Sequence, residues 1–160
     1  ASEVIRLVEE IRKKEYRVIL GSRVKLLGTD INRHATRHYF GRVFATAASL
    51  ILRLPVYDTQ CGAKFFSVTP LLKEVLSEPF SSRWFFDVEL IGRLMIGGKT
   101  LQPLTINDFV EVPLKKWTDV GGSKIKPLDV VKVPTELMKI AMQLNKRKQK
   151  IGTWEAAKAR

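Results

Sequence analysis

An amphipathic helical run that passes straight into a short apolar strand is the feature that most constrains this chain. Val4, Ile5, Leu7, Val8 and Ile11 share one face of a helix predicted over residues 2–15. Glu9, Glu10, Arg12, Lys13 and Lys14 point away from it, and Ser2 can cap it. Tyr16-Arg17-Val18-Ile19-Leu20 then reads as a strand that Gly21-Ser22 stops. A helix followed by a strand is half of an α/β unit, and the strand that should precede the helix is missing. The expectation is a chain that enters an α/β sheet part-way through a larger fold.

The rest of the chain continues that alternation. Residues 23–33 form a polar connection with Gly28 and Asp30. A second helix is predicted over 35–54, where Tyr39, Phe40, Val43, Phe44, Ala47, Leu50 and Ile51 recur at helical spacing until Pro55 ends it. Residues 63–67 suit a strand, and 70–76 a short helix opened by Thr69 with Pro70 at its first position. Residues 86–96 suit a helix ended by Gly97-Gly98, and 101–113 are mainly extended. The segment 117–125 is a Gly-rich loop. Residues 128–148 are helical, with Leu137, Ile140, Ala141 and Leu144 on the apolar face and Pro134 kinking or dividing them. The division expected is one folded unit over 1–148 and a basic, flexible tail over 149–160.

Composition narrows the partners. The 160 residues suffice for one domain, and 45% apolar residues exclude a disordered chain. The formal net charge of +12 points to phosphate-bearing partners: nucleic acid, anionic lipid or a phosphorylated substrate. Cys61 is the only cysteine and His34 and His38 the only histidines, so neither an internal disulfide nor a four-ligand Cys/His zinc site can form. A reducing compartment is expected. No stretch reaches the roughly 18 apolar residues of a membrane span, and the amphipathic start gives no signal peptide. A membrane would be met from the side.

Four segments can carry chemistry. Asp58, Gln60 and Gly62 stand at the mouth of a strand, as an Asx-type turn or as a carboxylate that accepts a proton or orients a nucleophile. Asp87 and Glu89 open a helix, as simple helix-terminal charges or as paired carboxylates facing a pocket beside aromatics. Trp117 leads into Gly121-Gly122-Ser123-Lys124, an ordinary loop or a phosphate cradle without P-loop spacing. Arg33, Arg37, His38 and Arg42 crowd the start of a helix whose dipole disfavours them. Beside Tyr39, Phe40 and Phe44 they form a solvated basic face or a membrane-interface helix.

Taken in order, these segments resemble a known family. Asp58-Thr59-Gln60-Cys61-Gly62-Ala63-Lys64-Phe65-Phe66 resembles the DTQCGFK-type signature of dolichyl-phosphate β-glucosyltransferases and their bacterial relatives in glycosyltransferase family 2. Leu20-Gly21-Ser22-Arg23, Phe86-Asp87-Val88-Glu89-Leu90, Glu111-Val112-Pro113 and Trp117 with Gly122-Ser123-Lys124 follow the family's order. The resemblance covers residues 2–148. It implies a GT-A fold, an α/β sandwich with a mixed sheet and flanking helices, of which this chain is the C-terminal half. It further implies an inverting hexosyltransferase that takes a nucleotide-sugar, UDP-glucose favoured, to a polyprenyl or dolichyl phosphate. Mg or Mn is implied for the full-length enzyme, bound by an Asp-x-Asp motif that this chain lacks and that lies upstream in the family.

Residue by residue, the resemblance gives Asp58 the catalytic carboxylate, with Gln60 and Gly62 at the acceptor–donor junction. Asp87, Glu89 and Trp117 fall near sugar and acceptor. Arg23, Arg37 and Lys124 are candidates for phosphate contacts. Tyr39, Phe40, Arg42 and Phe44 would face the bilayer, from the cytoplasmic side of a bacterial inner membrane or the endoplasmic reticulum. Ala63 departs from the family's usual Phe, which leaves the choice of sugar open. A mannose synthase-like segment is similar around Asp58 but lacks the Gln-Cys-Gly run. The alternatives are a non-catalytic basic module at a membrane surface, or a nucleic-acid binder, for which no recognisable module is present. An uncovered sheet edge would favour a homo-oligomer.

Overall fold

The computed structural model describes residues 2–13, 16–32, 35–118 and 127–158, with side chains over 3–10, 16–32, 41–118 and 132–152. In chain order the elements are α1 (Ser2–Lys13), β1 (Val18–Ser22), β2 (Asp30–Asn32), α2 (Ala35–Leu52), β3 (Lys64–Phe66), α3 (Pro70–Ser77), α4 (Phe86–Ile96), β4 (Phe109–Pro113), β5 (Lys116–Thr118) and α5 (Pro127–Lys158). A 3₁₀ turn, Ile106–Asp108, precedes β4. β1 is the middle of a mixed three-stranded sheet, antiparallel to β3 and parallel to β4. β2 and β5 pair in parallel as a separate ribbon, with Ile31 opposite Trp117.

Alternation along the strands divides the interior in two. Val18 and Leu20 of β1 and Phe109 of β4 enter the larger core, with Ala48 of α2, Val75 of α3, Ile91 of α4 and Ile140 of α5. Ile19 and Val112 point the other way, to Leu7 of α1, Ile31 of β2 and Cys61. The fold is therefore α/β, a mixed sheet with helices on both faces. All five residues of β1 are buried, as a strand covered on both faces requires. Of the apolar face predicted for α1, Leu7 is buried while Val4 and Ile5 are exposed.

Several boundaries differ from the sequence-based expectation, each for a local reason. Gly21 and Ser22 continue β1 instead of stopping it. The Gly21 N–H donates to the Ala63 carbonyl at 2.7 Å. A Cβ on Gly21 would lie 2.9 Å from that oxygen, so this glycine marks a close backbone approach and not a turn. β2 and β5 fall in segments read as a polar connection and a Gly-rich loop. Three-residue strands are too short to leave a period-two pattern. α5 runs through Pro134 and on to Lys158, past the helix end expected near Lys148, over residues that are mostly strong helix formers. α3 begins as predicted: the Thr69 hydroxyl accepts the Leu72 N–H at 3.1 Å, with Pro70 next. Among the described residues no helix is long and apolar enough to cross a membrane.

Candidate functional site

β1 and β4 run parallel and β3 antiparallel to β1, so the carboxyl ends of β1 and β4 and the start of β3 meet at one end of the sheet. Ligands of open α/β sheets sit at that end. Arg23 leaves β1 there, residues 57–63 lead into β3, and Glu111 stands on β4.

Asp58 is 6% exposed and is held by Arg23 through both oxygens. Oδ2 accepts from Arg23 Nε at 2.7 Å and from the Arg23 backbone N–H at 3.1 Å, while Oδ1 accepts from Nη2 at 2.8 Å. Oδ1 also accepts the Gln60 N–H at 3.2 Å, which is the Asx-type turn read from the sequence. The turn and the charged site are thus one structure. The Arg23 guanidinium lies 5.5 Å from the ring centre of Trp117, which β5 brings in. Arg23, Asp58, Gln60 and Trp117 therefore gather, and Gly62 is exposed beside them.

The backbone under Asp58 is fixed from β4. Glu111 Oε2 accepts the Tyr57 N–H at 2.7 Å, and Oε1 accepts the Asp58 N–H at 2.8 Å. Burial pushes the Glu111 carboxyl above the ordinary carboxylate range, the Asp58 charge adds to this, and the two N–H donors oppose it. Arg42 of α2 stacks on the Tyr57 ring at 3.7 Å and donates to the Tyr57 carbonyl at 3.3 Å. Cys61 is fully buried in the smaller core, and burial raises its thiol, which makes it a poor nucleophile.

Asp87 and Glu89 separate. Asp87 Oδ2 accepts from Lys64 Nζ at 2.6 Å, and that ammonium also donates to the Cys61 carbonyl, which ties the start of α4 to the 58–64 segment. Glu89 pairs with Arg93 at 2.7 Å and accepts from the Ser81 hydroxyl at 2.6 Å. It borders a cleft of about 240 Å³ with Glu74, Glu78, Lys99 and Arg147, lined from α3 and α5. The paired-carboxylate expectation is corrected accordingly. Buried polar atoms without partners are rare in folded proteins and call for an explanation. Among the described residues, Thr59 Oγ1, Gln60 Nε2 and Asp87 Oδ1 have no hydrogen-bond partner, and all lie in or against this segment.

The bilayer-facing set is also corrected in part. Phe44 is 8% exposed and stacks on Phe85 at 4.5 Å in the larger core. Among the described side chains of α2, the exposed large apolar ones are Val43 and Leu50. Arg42 points to Tyr57, as described. The side chains of Arg37, His38, Tyr39 and Phe40, and residues Arg33, His34 and Gly121 to Lys124, lie outside the described residues. Sequence reasoning assigned no role to Glu111 or Lys64. The available signal for Glu111 was a lone acid inside an apolar strand, since a charge at such a position needs partners.

Comparison with known proteins agrees with the resemblance read from the sequence. Over 154 residues the chain is 29% identical to a dolichyl-phosphate beta-glucosyltransferase of Saccharomyces cerevisiae, covering 88% of this chain and 43% of the yeast protein. Over 126 residues it is 28% identical to a dolichyl-phosphate beta-glucosyltransferase of Trichomonas vaginalis, covering 78% of this chain and 34% of that protein. A second Trichomonas vaginalis enzyme of the same name is 29% identical over 100 residues. The chain spans less than half the length of each of these relatives. No family model and no solved structure matches it. The chain is thus similar, at 28–29% identity, to three glycosyltransferases that share one name, dolichyl-phosphate beta-glucosyltransferase.

Proposed function

We propose that the chain is the acceptor-side part of a GT-A-type glycosyltransferase that moves a hexose, glucose favoured, from a nucleotide-sugar to a polyprenyl or dolichyl phosphate at a membrane surface. The observation that carries this reading is the Arg23–Asp58 pair at the carboxyl end of the parallel strands, with Asp58 inside the segment that resembles the family signature. Helices on both faces of a mixed sheet are compatible with part of such a fold. In the transfer, an acceptor phosphate oxygen attacks the anomeric carbon from the side opposite the nucleotide. The bond from that carbon to the diphosphate breaks with inversion, and the electron pair leaves on the diphosphate. A phosphomonoester with a second pKa of about 6 is largely ionised near neutral pH, so little proton removal is needed. An Asp58 engaged on both oxygens suits positioning of the guanidinium, which offsets phosphate charge as it develops. The divalent ion expected in such enzymes finds no group of three or more His, Cys, Asp or Glu ligands among the described residues.

Lipid-linked glucose should form when the full-length protein meets UDP-glucose and polyprenyl phosphate in membranes, and GDP-mannose should give little product. Asp58→Asn should cut turnover by about a hundredfold to a thousandfold, the order seen when a transition-state-stabilising group is removed. A folded Asp58→Asn protein with undiminished turnover would remove Asp58 from the mechanism.

A further inference from the structure

We propose that Glu111 is a positioning residue for Asp58 in sugar transfer, setting where the Asp58–Arg23 pair stands; this rests on the function proposed above. Glu111 is the one charged residue of β4, flanked by Val110 and Val112. Its two oxygens each receive one of two consecutive backbone donors, Tyr57 N–H at 2.7 Å and Asp58 N–H at 2.8 Å. Only a carboxylate offers two acceptors in that arrangement; a glutamine of the same shape turns one of them into a donor that faces an N–H. β4 is paired with β1 along its whole length, with Glu111 opposite Leu20, three residues before Arg23. Both halves of the pair thus hang from one rigid sheet, Arg23 directly and Asp58 through Glu111. Arg42 holds the same peptide from the helix side, through the Tyr57 ring and carbonyl. Fixing a reacting group on paired strands is how a fold keeps it within the small tolerance that catalysis needs.

The test is turnover of the full-length protein carrying Glu111→Gln. The expected result is a kcat lower by about a hundredfold, the order for a misplacement of about 1 Å, with the KM for nucleotide-sugar within about twofold. In an Asp58→Asn background the same change should cost nothing further, because residues that act as a unit are not additive. A Glu111→Gln protein that melts earlier but keeps its kcat shows a merely structural role and overturns the inference. So does a double variant whose losses multiply. Full transfer by Glu111→Gln with loss in Asp58→Asn overturns this inference alone; full transfer in both overturns the reading of Asp58 beneath it. If Glu111→Gln does not fold, Glu111→Asp keeps both acceptors on a stem one methylene shorter. It should lose about tenfold in kcat, and a wild-type kcat there is equally fatal.

Discussion

Gly21 sits where β1 and the segment before β3 come closest. A methyl group added there would stand 2.9 Å from the Ala63 carbonyl oxygen and 3.0 Å from its Cβ. Replacing glycine by alanine usually favours folding by about 0.4–1 kcal/mol, through the unfolded chain. Overpacking against backbone costs about 1–3 kcal/mol, so the clash should win. Gly21→Ala should therefore lower the urea midpoint, and an unchanged midpoint would mean that the Ala63 backbone yields freely. Asp58 and Gln60 were legible as a site because the residues that mark it are consecutive. Glu111 was not, because its partners Tyr57 and Asp58 stand 54 and 53 positions away and only the fold brings them together. Phe44 misled for another reason: helical spacing gives the same apolar stripe whether it faces a core or a bilayer.

The helices show what periodicity can and cannot separate. Two residues apart on a helix means about 200° around it, so Asp87 and Glu89 had to face different neighbours once α4 formed. Adjacency in sequence suggested a pair that the period forbids. The Glu89 side fastens α4 to the end of α3 and to the turn that follows it. Arg93 is 6% exposed and donates to the carbonyls of Val75, Glu78 and Pro79 at 2.7–2.8 Å while pairing with Glu89, itself 1% exposed. Removing one partner of a buried ion pair costs about 3–5 kcal/mol, because the other charge is left uncompensated. Arg93→Met should show that loss in chemical denaturation, without any change in the Asp58 region. A cost under about 1 kcal/mol would mean that water reaches Glu89 and replaces the guanidinium. The same period made α3, α4 and the core of α5 readable, while β2 and β5 stayed hidden because their stability comes from pairing with each other across some 85 residues and not from any local pattern.

Across the whole molecule, the net charge of +12 is where the proposed membrane contact meets a test. Arg42 is a poor probe of it, because its guanidinium stacks on Tyr57 and lies near Glu111, so reversing it would disturb the site itself. Lys146 and Lys148 are exposed on α5. Turning both into glutamate removes two charges each, taking +12 to +8. A basic residue near an anionic leaflet contributes about 1 kcal/mol, so losing two should weaken vesicle binding by roughly thirtyfold or more. Binding by the unaltered protein should also fall as salt rises from about 0.1 M to 1 M, where the screening length shrinks from roughly 10 Å to 3 Å. Co-sedimentation with vesicles of mixed anionic and neutral lipid reads both effects. If neither salt nor the two reversals changes the bound fraction, charge is not what holds the protein to the surface. The exposed Val43 and Leu50 of α2 then become the side chains to replace, since apolar contact of that kind is indifferent to screening.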